Sequence, residues 1–142
     1  MERDQHEKLR ILHLGPDPEF SSPIFVDNYQ IEITTLDNVF SVCRWVAENG
    51  FPDAVICEQK LPVGEGIGFH DFWIEQFDPE HQIPFLLLDD EKVPGAAEKA
   101  LQKKIDAVYI KPVNAETLVS RILALKNEKT KITSTLSTRT IV

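Results

Sequence analysis

The residues of this chain best placed to do chemistry are carboxylates and one lysine, each standing where an apolar run ends. Ala54-Val55-Ile56-Cys57 stops at Glu58, and Leu61-Pro62 and a loop carrying Gly64 and Gly66 follow. Ile83–Leu88 (IPFLLL) stops at Asp89-Asp90, Ala107–Ile110 (AVYI) at Lys111-Pro112, and Leu9–Leu14 (LRILHL) at Gly15-Pro16-Asp17-Pro18. Short apolar runs bounded by turn residues read as buried parallel strands. Open α/β sheets place their sites at the carboxyl ends of such strands, so Asp17, Glu58, Asp89 and Lys111 are directed toward one mouth. Carboxylates around an ammonium form an ion pair or triad, and at an effective dielectric near 20 a contact pair is worth about 4 kcal/mol of Coulomb energy before desolvation is subtracted. Asp17, Glu58, Asp89 and Asp90 could instead converge on a cation, Asp17 and Glu58 being the weak candidates for its ligands. The plainer alternative is an acidic rim solvated beside Lys111.

The elements that must hold these groups alternate strand and helix. Tyr29–Leu36 (YQIEITTL) is β-branched and alternating, a further strand. Glu19–Asn28 is expected to be a helix that is short, displaced or late to start, because Ser21-Ser22-Pro23 interrupts it. Asp37 is expected to cap a helix over Asn38–Asn49 that Gly50 ends. Gly68–Phe77 carries Phe69, Phe72, Trp73 and Phe77 at helical spacing, a stripe that reads as core. Gly95–Lys104 makes a fourth helix. Asn114 caps a fifth, running to about Lys126 with Leu118, Ile122 and Leu125 on its buried side. Ile83–Leu88 is the most apolar strand and is expected to be the central or most buried one. Residues 127–142 are Thr/Ser-rich and read as a tail or linker after a domain spanning 1–126. Right-handed crossovers turn this alternation into an α/β, flavodoxin-like, doubly wound five-stranded parallel sheet of order 2-1-3-4-5, with helices on both faces.

Composition narrows the function classes. The 142 residues suit one domain with a sizeable core. A net charge of −8 argues against nucleic acid and against an anionic membrane surface as partners. No stretch approaches the length of a membrane span, and the charged start MERDQHEKLR lacks the apolar core of a secretion signal. A cytoplasmic location is therefore expected. Two cysteines, Cys43 and Cys57, read as small buried hydrophobes. The histidines, His6, His13, His70 and His81, show no paired metal-ligand spacing.

Taken together, the first strand with its turn, Glu58-x-x-Leu61-Pro62-x-x-x-Gly66, the strand Ile83–Leu88 with its exit residue, and Lys111-Pro112 resemble the response-regulator receiver (CheY-like) family, in order and over roughly residues 9–126. The resemblance implies a domain of two-component, phosphorelay signal transduction. It also implies roles that this sequence fills unusually. The phospho-acceptor aspartate is Glu58; the acid pair that holds Mg²⁺ is Gly15-Pro16; the Ser or Thr that senses the phosphoryl group is Asp89; the aromatic switch residue is Val108; only Lys111 matches.

Those departures act together. Phosphoryl transfer needs a metal bridging acceptor and phosphate oxygens, and a nucleophile in line. Loss of the acid pair removes the main Mg²⁺ ligands. One added methylene moves the nucleophile's oxygens by more than about 1 Å, which can cost on the order of a hundredfold in rate. The chain is therefore expected to be an atypical receiver, a pseudo-receiver, that is not an enzyme, takes no cofactor and binds Mg²⁺ weakly at best. Its expected partners are proteins, such as a histidine kinase or a downstream effector, or a second copy through the fourth-helix, fifth-strand, fifth-helix face, where Val93, Ala96, Ala97 and Ala100 permit close packing. Two readings of the Lys111 cluster stay open: a domain locked in one signalling state, or a decayed site whose salt bridge only satisfies a buried lysine. Two other functions also stay open: a rearranged receiver that is still phosphorylated, with a cation at Asp17 and Glu58, and a flavodoxin-like nucleotide or flavin protein. The second lacks a Gly-rich phosphate loop after its first strand.

Overall fold

The computed structural model describes residues 7–62, 64–90 and 96–141, with side chains described at 7–62, 64–90 and 99–129. Its strands are β1 (Glu7–Leu14), β2 (Ile24–Val26), β3 (Tyr29–Leu36), β4 (Ala54–Glu58), β5 (Phe85–Asp89) and β6 (Ala107–Ile110). Its helices are α1 (Val39–Asn49), α2 (Gly66–Gln76), α3 (Ala96–Gln102) and α4 (Ala115–Ile141). The strands form one sheet in the order β2-β3-β1-β4-β5-β6. All neighbours run parallel except β2, which is antiparallel to β3.

Without β2, the order is the expected flavodoxin-like one. The correction falls on Glu19–Asn28. Where a helix is expected, the chain runs from β1 through a loop into β2 and turns back at Asp27 (φ 52°) into β3. Pro23 removes a helical donor in mid-segment, and the Ser22 hydroxyl accepts the Ile33 N–H at 2.9 Å, tying the loop to the neighbouring strand instead. Among the described residues the sheet therefore has six strands with one antiparallel edge, rather than five parallel ones.

Alternation of side chains sorts the core into two layers. On one face lie Leu9, Ile11, Ile31, Ile33, Ala54, Ile56, Leu86 and Leu88, packed against Leu118, Val119, Ile122 and Leu125 of α4. Phe20, Ile24 and Val26 of the loop and β2 pack beside them, covering sheet that the missing helix leaves open. On the other face Leu12, Leu14, Val55, Cys57, Phe85 and Leu87 meet Val42 of α1, Phe69 and Trp73 of α2 and Ala100 of α3. The aromatic stripe of α2 is thus core, as its spacing implies.

Helix ends follow local chemistry. Asn38, not Asp37, caps α1, its Oδ1 accepting the Ser41 N–H at 2.9 Å; Asp37 instead accepts from the Asn38 side-chain amide at 2.7 Å. Gly50 ends the helix at φ 82°, a conformation that glycine adopts without strain. Asn114 caps α4 through the Thr117 N–H at 2.8 Å. That helix continues past Lys126 to Ile141, so residues 127–141 extend it rather than forming a separate coil. β5 is buried at every position, yet it lies one strand in from the β6 edge, with β1 and β4 at the middle of the sheet. Val93 lies outside the described residues, and Ala100 is turned into the core. Among the described residues no helix is long and apolar enough to cross a membrane.

Candidate functional site

Period-two alternation brings three polar groups to one face at the carboxyl end of the sheet. His13 follows Leu9 and Ile11, Glu58 follows Ala54 and Ile56, and Lys111 follows Ala107 and Tyr109, all members of the α4-side layer. They meet at Glu58. Its Oε2 lies 2.8 Å from His13 Nε2, and its Oε1 accepts from Lys111 Nζ at 2.8 Å. His13 is fully buried, and its Nδ1 contacts Thr35 Oγ1 at 2.9 Å. The imidazole also makes an edge contact with Phe20 at 5.1 Å.

Lys111 gathers further acids. Its Nζ donates to Glu19 Oε2 at 2.6 Å and lies 3.5 Å from Asp90 Oδ1. One ammonium therefore joins the β1–β2 loop, the end of β4 and the exit of β5. Alternation explains why Asp90 approaches it: Asp89 follows Phe85 and Leu87 on the opposite face of the sheet. Asp89 is itself buried, and its carbonyl accepts the Lys111 N–H at 2.8 Å. Val108 packs in that opposite layer and Tyr109 in the α4-side layer, as their adjacency requires. Asp17 is exposed, and the acid of its loop that reaches Lys111 is Glu19.

The electrostatics follow from these contacts. Burial works to raise the Glu58 pKa, but hydrogen bonds from His13 and Lys111 outweigh it and hold the carboxyl below its ordinary value. Burial likewise opposes the charged form of Lys111, and its bonds to Glu19 and Glu58 outweigh that and push its pKa up. Burial, then the neighbouring Glu58 charge, pushes the Cys57 thiol up, so it stays an inert core thiol.

Two glycines shape the site. A Cβ on Gly15 would stand 2.7 Å from Glu58 Cγ and 3.1 Å from His13 Cε1. The bare backbone at 15 is what lets the longer carboxylate and the imidazole share this space. A Cβ on Gly66 would stand 2.5 Å from the Glu58 carbonyl oxygen. The Gly of the acid-x-x-Leu-Pro-x-x-x-Gly stretch thus lets the start of α2 fold back onto the end of β4. That return is closed by Gly66 N–H to Gln59 O at 2.9 Å and by Ile67 N–H to Gln59 Oε1 at 3.1 Å.

Sequence reasoning puts Glu58 and Lys111 at one mouth, where the structure joins them, and misses His13, Thr35 and Glu19. The alternation of LRILHL carries the signal for His13, since it puts that side chain on the face of Leu9 and Ile11. Glu19 gives no such signal, because it lies in a segment expected to be helical.

No protein-family model matches the chain, and no curated protein matches it. Solved structures do resemble it. NtrX from Brucella abortus superposes with a TM-score of 0.72 at 14% identity, covering 96% of this chain and 31% of that one. The CheY-like response regulator receiver domain protein from Methanospirillum hungatei JF-1 gives 0.62 at 21%, covering 87% and 97%. The chemotaxis response regulator CheY4 of Vibrio cholerae gives 0.61 at 18%, covering 82% and 98%. At such identities the likeness defines the fold: this chain has the flavodoxin-like, CheY-like receiver fold.

Proposed function

We propose that this chain is an atypical receiver domain of two-component signal transduction that works by protein–protein contact and is not phosphorylated in the ordinary way. The observation that carries the reading is the engagement of both Glu58 oxygens, one by His13 Nε2 and the other by Lys111 Nζ. An acceptor carboxylate needs an oxygen free to attack and a metal to bridge it to the phosphoryl group. Here an imidazole and an ammonium each engage one of the two carboxylate oxygens. The residues standing where the family's acid pair would be do not fit Mg²⁺: Gly15 has no side chain and lies against Glu58 Cγ, and Pro16 offers no oxygen ligand on its side chain.

The Lys111 contacts support a module held in one conformation, because one ammonium ties together the β1–β2 loop, the end of β4 and the exit of β5. Its output then depends on a partner, a histidine kinase or an effector. A second copy docked on the face of α3, β6 and α4 is the alternative; Leu101 and Ile110 there are 72% and 44% exposed.

Intact-mass spectrometry after incubation with Mg²⁺ and acetyl phosphate tests the reading. The expected result is no added phosphoryl mass. An adduct that disappears in Glu58→Gln would overturn it in favour of a rearranged, phosphorylatable receiver.

A further inference from the structure

A second cluster lies at the opposite end of the sheet from Glu58, beside the connections that lead into β5 and β6. His70, on α2, is 2% exposed, yet neither of its ring nitrogens has a hydrogen-bond partner among the described residues. Leaving a buried polar group unsatisfied is costly, and such groups point to an absent water or ion. The ring stands edge-on to Phe85 at 4.6 Å and lies 6.1 Å from the ring of His81. Both histidines line a cavity of about 430 Å³ with Asp71, Glu75, Lys103 and Lys104. The two carboxylates balance the two ammonium groups, and Asp71 already holds Lys103 at 2.9 and 3.0 Å.

The position of His81 is built rather than incidental. Its backbone is left-handed at φ 54°. Its N–H donates to Asp78 O at 3.0 Å, and its carbonyl accepts from Lys129 Nζ at 2.6 Å. The buried Asp78 carboxylate accepts the next two N–H groups, of Gln82 and Ile83, at 2.8 and 2.9 Å. The loop thus holds the His81 ring 6.1 Å from that of His70, centroid to centroid, beside the cavity that both line. Burial first, then the neighbouring His81, lowers the His70 pKa to about 4.

We propose that His70 and His81 form a two-imidazole site for a late first-row divalent cation, with solvent oxygens completing its coordination. Imidazole nitrogen is a preferred donor for such ions. With a metal–nitrogen bond of about 2.1 Å, two rings on one zinc have centroids no more than about 6.4 Å apart, and closure by under about 1 Å reaches the tetrahedral separation. A bound cation would join α2 to the loop before β5, on the edge of α3.

Isothermal titration calorimetry with Zn²⁺ on the full chain, paired with thermal unfolding, tests this. His81→Asn keeps a residue that tolerates the left-handed backbone; His70→Phe keeps the buried volume without donors; His6→Ala is the control. One equivalent of Zn²⁺ should bind and raise Tm. His81→Asn and His70→Phe should each weaken binding at least about tenfold, and His6→Ala should not. Absence of binding to the native chain, or equal binding by folded His81→Asn, would overturn the proposal.

Discussion

His13 Nε2 and Glu58 Oε2 lie 2.8 Å apart, 45 residues distant in sequence and both buried. Because Lys111 takes the other Glu58 oxygen, the carboxylate is the hub of a chain running from Thr35 through His13, Glu58 and Lys111 to Glu19. Such networks stabilise only when every member is satisfied.

Lys111→Ala should therefore destabilise the fold. Glu58 keeps His13 but loses its second donor inside the protein, and Glu19 loses its tie to the sheet. A cost of about 2 kcal/mol is expected, lowering Tm by about 4–8 °C for a domain of this size. An unchanged unfolding midpoint would remove the network from any account of stability.

Gly66→Ala should be severe. The added Cβ would meet a backbone oxygen at 2.5 Å and Leu87 Cδ1 at 2.7 Å, and the backbone at the end of β4 cannot yield as a side chain can. The expected cost is about 2–3 kcal/mol, in the range of overpacked cores. Urea unfolding checks it, and a change within 0.5 kcal/mol, the ordinary scatter of surface substitutions, would contradict the close approach.

Gly15→Ala should be destabilising in a way that depends on Glu58. A double-mutant cycle with Glu58→Ala removes the Cγ that the new Cβ would strike. Coupling above about 1 kcal/mol is expected, and additive effects would show that Gly15 does not make room for the carboxylate.

Acid should act in two windows when the metal-free protein is titrated. The folded-state pKa of His70 is depressed from 6.5 to about 4, so the unfolded chain binds more protons between those values. Its contribution is complete above pH 6.5 and lost as pH falls toward 4, on the order of 3 kcal/mol in all. The folded-state pKa of Glu58 is depressed below 4.5, so its contribution is present above that value and lost only as pH falls below it. In His70→Phe the stability slope between pH 6.5 and 4 should flatten while the loss below 4.5 remains. An unaltered upper slope would assign that window to another group.

β1, the strands from β3 onward, the helices that follow them and the meeting of Glu58 with Lys111 were legible in local pattern. Apolar runs, turn residues and period-two alternation are short-range properties that burial amplifies. The antiparallel β2 was not legible although Ile24, Phe25 and Val26 are all good strand formers, because a run of three behind Pro23 is too short to show a period and its pairing is supplied by β3. Nor was the extension of α4, whose Thr/Ser-rich half has the composition of a linker. The alternation that places His13 on the α4-side face is present in LRILHL, but the sequence does not say that Glu58 stands opposite; that depends on the pairing of β1 with β4. Glu19 reaches Lys111 across 92 residues through a loop that the Ser22–Ile33 bond and the packing of Phe20 tie to the sheet. Residue types and spacing determined which groups stand at strand ends. The tertiary structure decided which of them share charge, because hydrogen bonds of 2.6–2.8 Å depend on strand register and loop path.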